Sequence, residues 1–167
     1  MDIGRVRLRA EPDFPSGGED GRGTITSAGR DFDFQFVQVG NPQVAIEVAD
    51  GLEDLDLGRY GPEIERHELF PNRTNVSFWR QTGDAGIRAR IFERGVGETM
   101  SSGTGATGAA VAAVLRGVDS PVTVELDGGE LVVDVGEDMH VDLTGWARPV
   151  YAATMSEEFV EELNATE

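Results

Sequence analysis

The sequence predicts an α+β domain in which mainly antiparallel strands wrap around one buried central helix. Three observations carry that expectation. Residues 105–115 are almost wholly Ala, Val, Gly and Leu with no polar face, so a helix there has to be enclosed by protein. Residues 75–81 and 87–92 alternate at period two around Thr82-Gly83-Asp84, the pattern of an antiparallel hairpin. After residue 121 come short β-type runs separated by Gly-rich turns, as in a meander.

Taken in order, residues 6–9 alternate weakly, and residues 11–30 are rich in Gly, Ser, Asp and Pro, which predicts an exposed loop or a wide hairpin. Residues 34–39 and 44–48 read as strands separated by Gly40-Asn41-Pro42. Proline lacks the backbone donor that a central ladder needs, so this break is a turn. Residues 52–57 and 60–67 read as short helical pieces ended by Phe70-Pro71-Asn72. The hairpin follows, and its second strand runs straight into Glu93. In the apolar helix, the many alanines and glycines allow neighbouring backbone to approach closely, and Gly117 after Arg116 is a C-terminal stop. Strands are then expected at 122–126, 131–135, 139–143 and 149–152, with turns at Asp127-Gly128-Gly129 and Gly136-Glu137-Asp138. Residues 156–163 predict a last amphipathic helix with Ser156 as its cap. A chain of 167 residues suits one domain, 1–167, and shows no internal repeat.

Composition excludes several classes of function. Acidic residues outnumber basic ones 31 to 14, a net charge of -17, which opposes nucleic acid binding and attachment to an acidic membrane surface. Every basic residue is arginine. A lysine-free, carboxylate-rich surface fits a protein adapted to concentrated salt, where self-repulsion is screened within about 3 Å at 1 M; the alternative is a merely acidic mesophilic protein. Without cysteine there is no disulfide framework and no thiolate metal site, and only His67 and His140 offer imidazole. No metal is expected. No apolar stretch has the length of a membrane span and the N-terminus lacks the pattern of a signal peptide, so a cytoplasmic location is expected.

The chemistry concentrates in residues 93–106, between a strand and the start of the buried helix. A helix start carries unpaired amides and about half a positive charge, a natural seat for a carboxylate. Gly103 and Gly105 leave those amides open to a ligand, while Glu93 and Arg94 offer one partner for an ammonium and one for a carboxylate. The set suits a zwitterion. A phosphate loop of the Gly-x4-Gly-Lys type requires a lysine this chain lacks. The dinucleotide pattern starting at Gly95 meets Met100 where its third glycine belongs, and Ser101 and Ser102 both miss the spacing of a hydrolase elbow. A tight turn that merely feeds a core helix remains the simpler reading of the residues alone.

Three motifs in order go further. Glu93-Arg94-Gly95-Val96-Gly97-Glu98-Thr99, followed by Gly103-Thr104-Gly105-Ala106, resembles the signature of the diaminopimelate epimerase family. Gly40-Asn41-Pro42 is similar to that family's Gly-Asn-Pro-His, and the run from Phe70 to Val76 to its Phe-Pro-x-x-x-Asn-Val. The likeness extends to Asp2-Ile3-Gly4 and to Thr144-Gly145. It implies a two-lobed enzyme with its site in the cleft, converting LL- to meso-diaminopimelate for lysine or cell-wall precursor synthesis without a cofactor. Each lobe of the family supplies one cysteine at a helix start; one removes the α-proton and the other returns a proton from the opposite face. By the same resemblance Asn41, Asn75, Glu93 and Arg94 hold the substrate's polar groups and the amides of Gly103 and Thr104 its carboxylate. The catalytic assignments fall on Ser102, in the cysteine position, and on Glu93.

Two positions depart from the family: Ser102 replaces the cysteine and Gln43 the histidine. The chain also starts about where the second, C-terminal lobe should, so the first lobe is expected to be missing, and the partners expected are that lobe or a homodimer mate and a small amino acid. The alternatives are a catalytically inactive relative acting as a binding module, or another isomerase or racemase of the same fold.

Overall fold

The structure, a computed structural model, describes residues 1–165; Thr166 and Glu167, the last two of the expected domain, lie outside the described residues. The chain runs β1 (Asp2–Arg5), β2 (Arg22–Ser27), β3 (Arg30–Gln38), β4 (Pro42–Glu47), α1 (Leu57–Glu65), β5 (Asn75–Gly83), β6 (Gly86–Glu93) and β7 (Gly97–Thr99). It continues through α2 (Gly103–Val114), β8 (Val122–Leu126), β9 (Gly129–Val135), β10 (His140–Thr144) and α3 (Glu157–Asn164). All the strands join one sheet in the order β1-β10-β9-β8-β6-β5-β4-β3-β2, with β7 paired beside β6.

The pairing is antiparallel except between β4 and β5 and between β6 and β8. Parallel neighbours need a crossover rather than a hairpin. The two crossovers contain the amphipathic helix α1, between β4 and β5, and the enclosed helix α2, between β6 and β8. The central strands are consequently covered on both faces, and consecutive residues of β5 and β4 go to different cores. Phe78 and Val44 join a cluster with Phe32, Phe34, Phe36, Phe70 and Ile64 of α1. Trp79 and Ala45 join the cluster around α2, with Ile87, Ala89, Ile91, Val124 and Val133.

Helix α2 is the enclosed helix the sequence predicts: residues 105–113 are all buried. Glycine at 105 and 108 lets the sheet close on it, since a Cβ would stand 2.8 Å from Ile91 Cγ2 at the first and 2.8 Å from Gln43 Cβ at the second. The helix ends at Val114 with Leu115 as its C-cap, and the turn after it closes at Gly117, whose φ of +97° a side chain would resist.

Several local expectations are corrected. Part of the 11–30 segment is an ordered strand, β2, paired along β3, and Phe14 packs its ring 5.3 to 5.6 Å from those of Phe34, Phe36 and Phe70. The Gly and Asp content conceals these few apolar anchors. The first strand is at Asp2–Arg5 rather than 6–9, where Arg7 makes one bridge to Gln38. The first half of the 52–57 stretch forms turns, and α1 begins at Leu57 under an Asp56 cap. Residues 149–152 form no strand and lie exposed. The final helix does form, with Ser156 accepting from the Phe159 amide at 3.3 Å, but none of its residues is buried.

Candidate functional site

The parallel register of β4 and β5 places Gln43 beside Asn75, and the antiparallel register of β5 and β6 places Val76 beside Phe92. The ends of these adjacent strands that carry Asn41, Asn75 and Glu93 therefore meet at one edge. Helix α2 starts against the same edge, because Ser77 Oγ donates to the Gly105 carbonyl at 3.1 Å and Asn41 Nδ2 approaches Thr104 Oγ1 at 3.4 Å. Of the positions singled out from the sequence, Asn41 meets Thr104 at this start of α2, where Ser102 and Gly103 also lie, while Asn75, Glu93 and Arg94 gather at the adjoining ends of β5 and β6.

Ser102 is the N-cap, in extended backbone, and its hydroxyl accepts from the Gly105 amide at 3.3 Å. It is 9% exposed. The amides of Gly103 and Thr104, next along the chain, belong to the first turn, where no intrahelical acceptor exists. Their helix end is thus a donor pair of partial positive charge beside a capping hydroxyl. Met100 accepts at 2.6 Å from the Gly128 amide, which ties the approach to α2 to the β8–β9 turn.

Asn41 is fixed by a fully buried neighbour: Gln43 Nε2 donates to Asn41 Oδ1 at 2.8 Å, turning the Asn41 amide donor toward Thr104. Gln43 Oε1 has no hydrogen-bond partner among the described residues. Asn75, also buried, donates to the Pro42 carbonyl at 3.3 Å and accepts from the Arg94 amide at 2.8 Å. The Arg94 guanidinium donates to the Asn72 carbonyl at 2.7 Å, while the half-buried Glu93 carboxylate has no hydrogen bond or ion pair among the described residues. Chemically, the edge offers helix amides for a carboxylate, a free carboxylate for an ammonium, and two amide side chains to orient a polar ligand between them.

Sequence reasoning overlooked Glu65. It ends α1 with 1% exposure, and its carboxylate accepts from the Gly95 amide at 3.1 Å. A glutamate on a mostly polar helix gives no motif; only its i+4 spacing from Gly61, on the face that meets Phe92, could have marked it.

The family model for diaminopimelate epimerase matches residues 35–149, more than half of the chain and every site position above. The chain belongs to the diaminopimelate epimerase family. Among similar proteins named diaminopimelate epimerase, that of Desulfitobacterium hafniense is 43% identical over 131 residues, covering 78% of this chain and 46% of the relative. That of Phocaeicola vulgatus is 45% identical over 130 residues, covering 77% and 46%. That of Halorhodospira halophila is 49% identical over 117 residues, covering 69% and 40%. The chain spans about half the length of the curated relatives it matches. A solved structure described as a predicted epimerase from Pseudomonas aeruginosa superposes with a TM-score of 0.50 at 19% identity, over 91% of this chain and 58% of that one, a likeness of fold.

Surface depressions occur elsewhere, one lined by Arg22, Thr24, Asp33 and Arg116 and another by Glu130, Val132, Thr144 and Trp146. Neither contains a residue of the α2 start. No helix among the described residues is long and apolar enough to cross a membrane.

Proposed function

We propose that residues 1–167 form a single domain, the second lobe of a cofactor-independent diaminopimelate epimerase that interconverts LL- and meso-diaminopimelate in the cytoplasm, on the route to lysine. The observation that carries this reading is the approach of Asn41 to Thr104 at an α2 start capped by the residue at the acid/base position, with Asn75, Glu93 and Arg94 gathered at the adjoining strand ends. In this role the amides of Gly103 and Thr104 receive the substrate's α-carboxylate and Glu93 its ammonium, with Asn41, Asn75 and Arg94 fixing the remaining polar groups. Deprotonation at the α-carbon leaves a carbanion that the positive end of α2 stabilises through the carboxylate, and a second acid, from a first lobe or from a second copy of this chain, returns a proton to the opposite face.

The weak point is Ser102. A cysteine thiol ionises near pH 8.5 and lower at a helix start, whereas an alcohol supplies almost no anion at neutral pH. This lobe would hold substrate well and move its proton poorly. The test combines the chain with a first lobe and follows solvent deuterium into the α-position of LL-diaminopimelate. Ser102→Cys is expected to raise the rate by about 10²–10⁴-fold, the usual worth of a positioned acid or base. Absence of both exchange and binding in either form would rule out the enzyme reading.

A second reading is favoured by Ser102 together with Gln43: both departures remove proton-transfer groups and leave the binding edge intact. A catalytically inactive relative serving as a binding module would bind the amino acid and show no exchange even as Ser102→Cys. Another racemase or isomerase of this fold would instead exchange the α-proton of a different amino acid.

A further inference from the structure

We infer that Glu65 is a positioning residue, its buried carboxylate setting where the Glu93–Arg94 turn stands relative to Asn75 and hence where the two charged grips of the site meet a ligand. The consequence for ligand rests on the function proposed above; the positioning itself does not. Helix α1 presents two residues at i, i+4 spacing to this turn. Gly61 receives the Phe92 ring so closely that a Cβ there would lie 2.5 Å from it, and Glu65 Oε1 accepts from the Gly95 amide at 3.1 Å. Glu65 is also bound through its main chain, since its carbonyl accepts from the Thr74 amide at 3.1 Å. Thr74 precedes Asn75, and Asn75 Oδ1 accepts from the Arg94 amide at 2.8 Å. Glu65, Thr74-Asn75 and Arg94-Gly95 thereby close a ring of hydrogen bonds across two strand ends.

A buried carboxylate requires compensation. The guanidiniums of Arg66 and Arg73 stand 3.6 Å from its two oxygens, themselves half exposed, so charge is balanced from the surface while the hydrogen bond is spent on Gly95. Arg73 holds a left-handed φ of 60°, a conformation non-glycine residues adopt only when their surroundings impose it. Position 65 therefore needs an acceptor oxygen at this place, and the charge is secondary.

The 167-residue chain is compared as the natural protein, Glu65→Gln and Glu65→Ala. Amide hydrogen exchange at Gly95 and Arg94 is read by NMR without ligand, and affinity for LL-diaminopimelate by calorimetry. Glu65→Ala should raise Gly95 exchange by about tenfold or more while protection in the middle of α2 persists, and should weaken binding by about tenfold to a hundredfold. Glu65→Gln, which keeps an acceptor, should restore Gly95 protection and bring affinity to within about threefold of the natural chain. Unchanged Gly95 exchange in Glu65→Ala would overturn the positioning. So would equal loss of protection throughout α2 and the turn, which marks a general structural role. If the natural chain binds no diaminopimelate, the functional reading fails while the exchange data still decide the role of Glu65.

Discussion

As N-cap Ser102 accepts from the Gly105 amide, a role serine performs well, whereas the acid/base role proposed for this position calls for an ionisable thiol. Ser102→Ala is expected to cost about 1 kcal/mol of stability in chemical denaturation, the usual worth of a cap. Gly105→Ala should cost more, about 1–3 kcal/mol, because its Cβ would stand 2.8 Å from a methyl of the fully buried, β-branched Ile91, which has no room to yield. Away from the site, Asp138 titrates below the ordinary carboxylate range, chiefly through the hydrogen bond from the His140 amide and then through Arg5. A depressed carboxylate favours the folded state when ionised, so its contribution is present above about pH 4 and is lost as pH falls through its folded pKa. Asp138→Asn should flatten that acid limb of the stability curve slightly, as befits an exposed group.

Among the elements, α1 and α2 do different work. Helix α2 is held by burial of small side chains against strands on several sides; α1 is short, carries Pro62, and depends on its Asp56 cap and its contact with Phe92. For Gly61→Ala two effects compete. Alanine gains about 1 kcal/mol of helix propensity over glycine, but a Cβ 2.5 Å from a buried ring costs about 1–3 kcal/mol, so a net loss is expected, with the Glu93–Arg94 amide resonances shifting in NMR spectra. Strand identity was legible from period-two alternation, as in β5 and β6. Which strands pair in parallel was not, because pairing depends on where the crossover helix packs rather than on any local pattern. Strand β2 escaped notice for a related reason: its Gly and Thr residues read as loop until β3 supplies their partners.

At the scale of the whole molecule, 31 carboxylates against 14 arginines make self-repulsion the dominant long-range force. We propose adaptation to concentrated salt, and expect the thermal midpoint to rise steadily as potassium chloride goes from 0.1 M toward 2 M; a midpoint that is flat or falls over that range would leave only an ordinary acidic protein. The sequence by itself determined the enclosed helix, since eleven residues without a polar face have no stable place in water, and it determined the family, since three ordered motifs carry chemistry at fixed spacings. The tertiary structure alone decided that α1 and α2 bridge the two parallel pairs, that Asn41, Asn75 and Glu93 therefore share one edge, and that Glu65 stands beneath the turn at Gly95. Residues that act on a ligand keep recognisable types at recognisable intervals; a residue that acts by holding another in place is defined by a distance, and that distance exists only after the chain has folded.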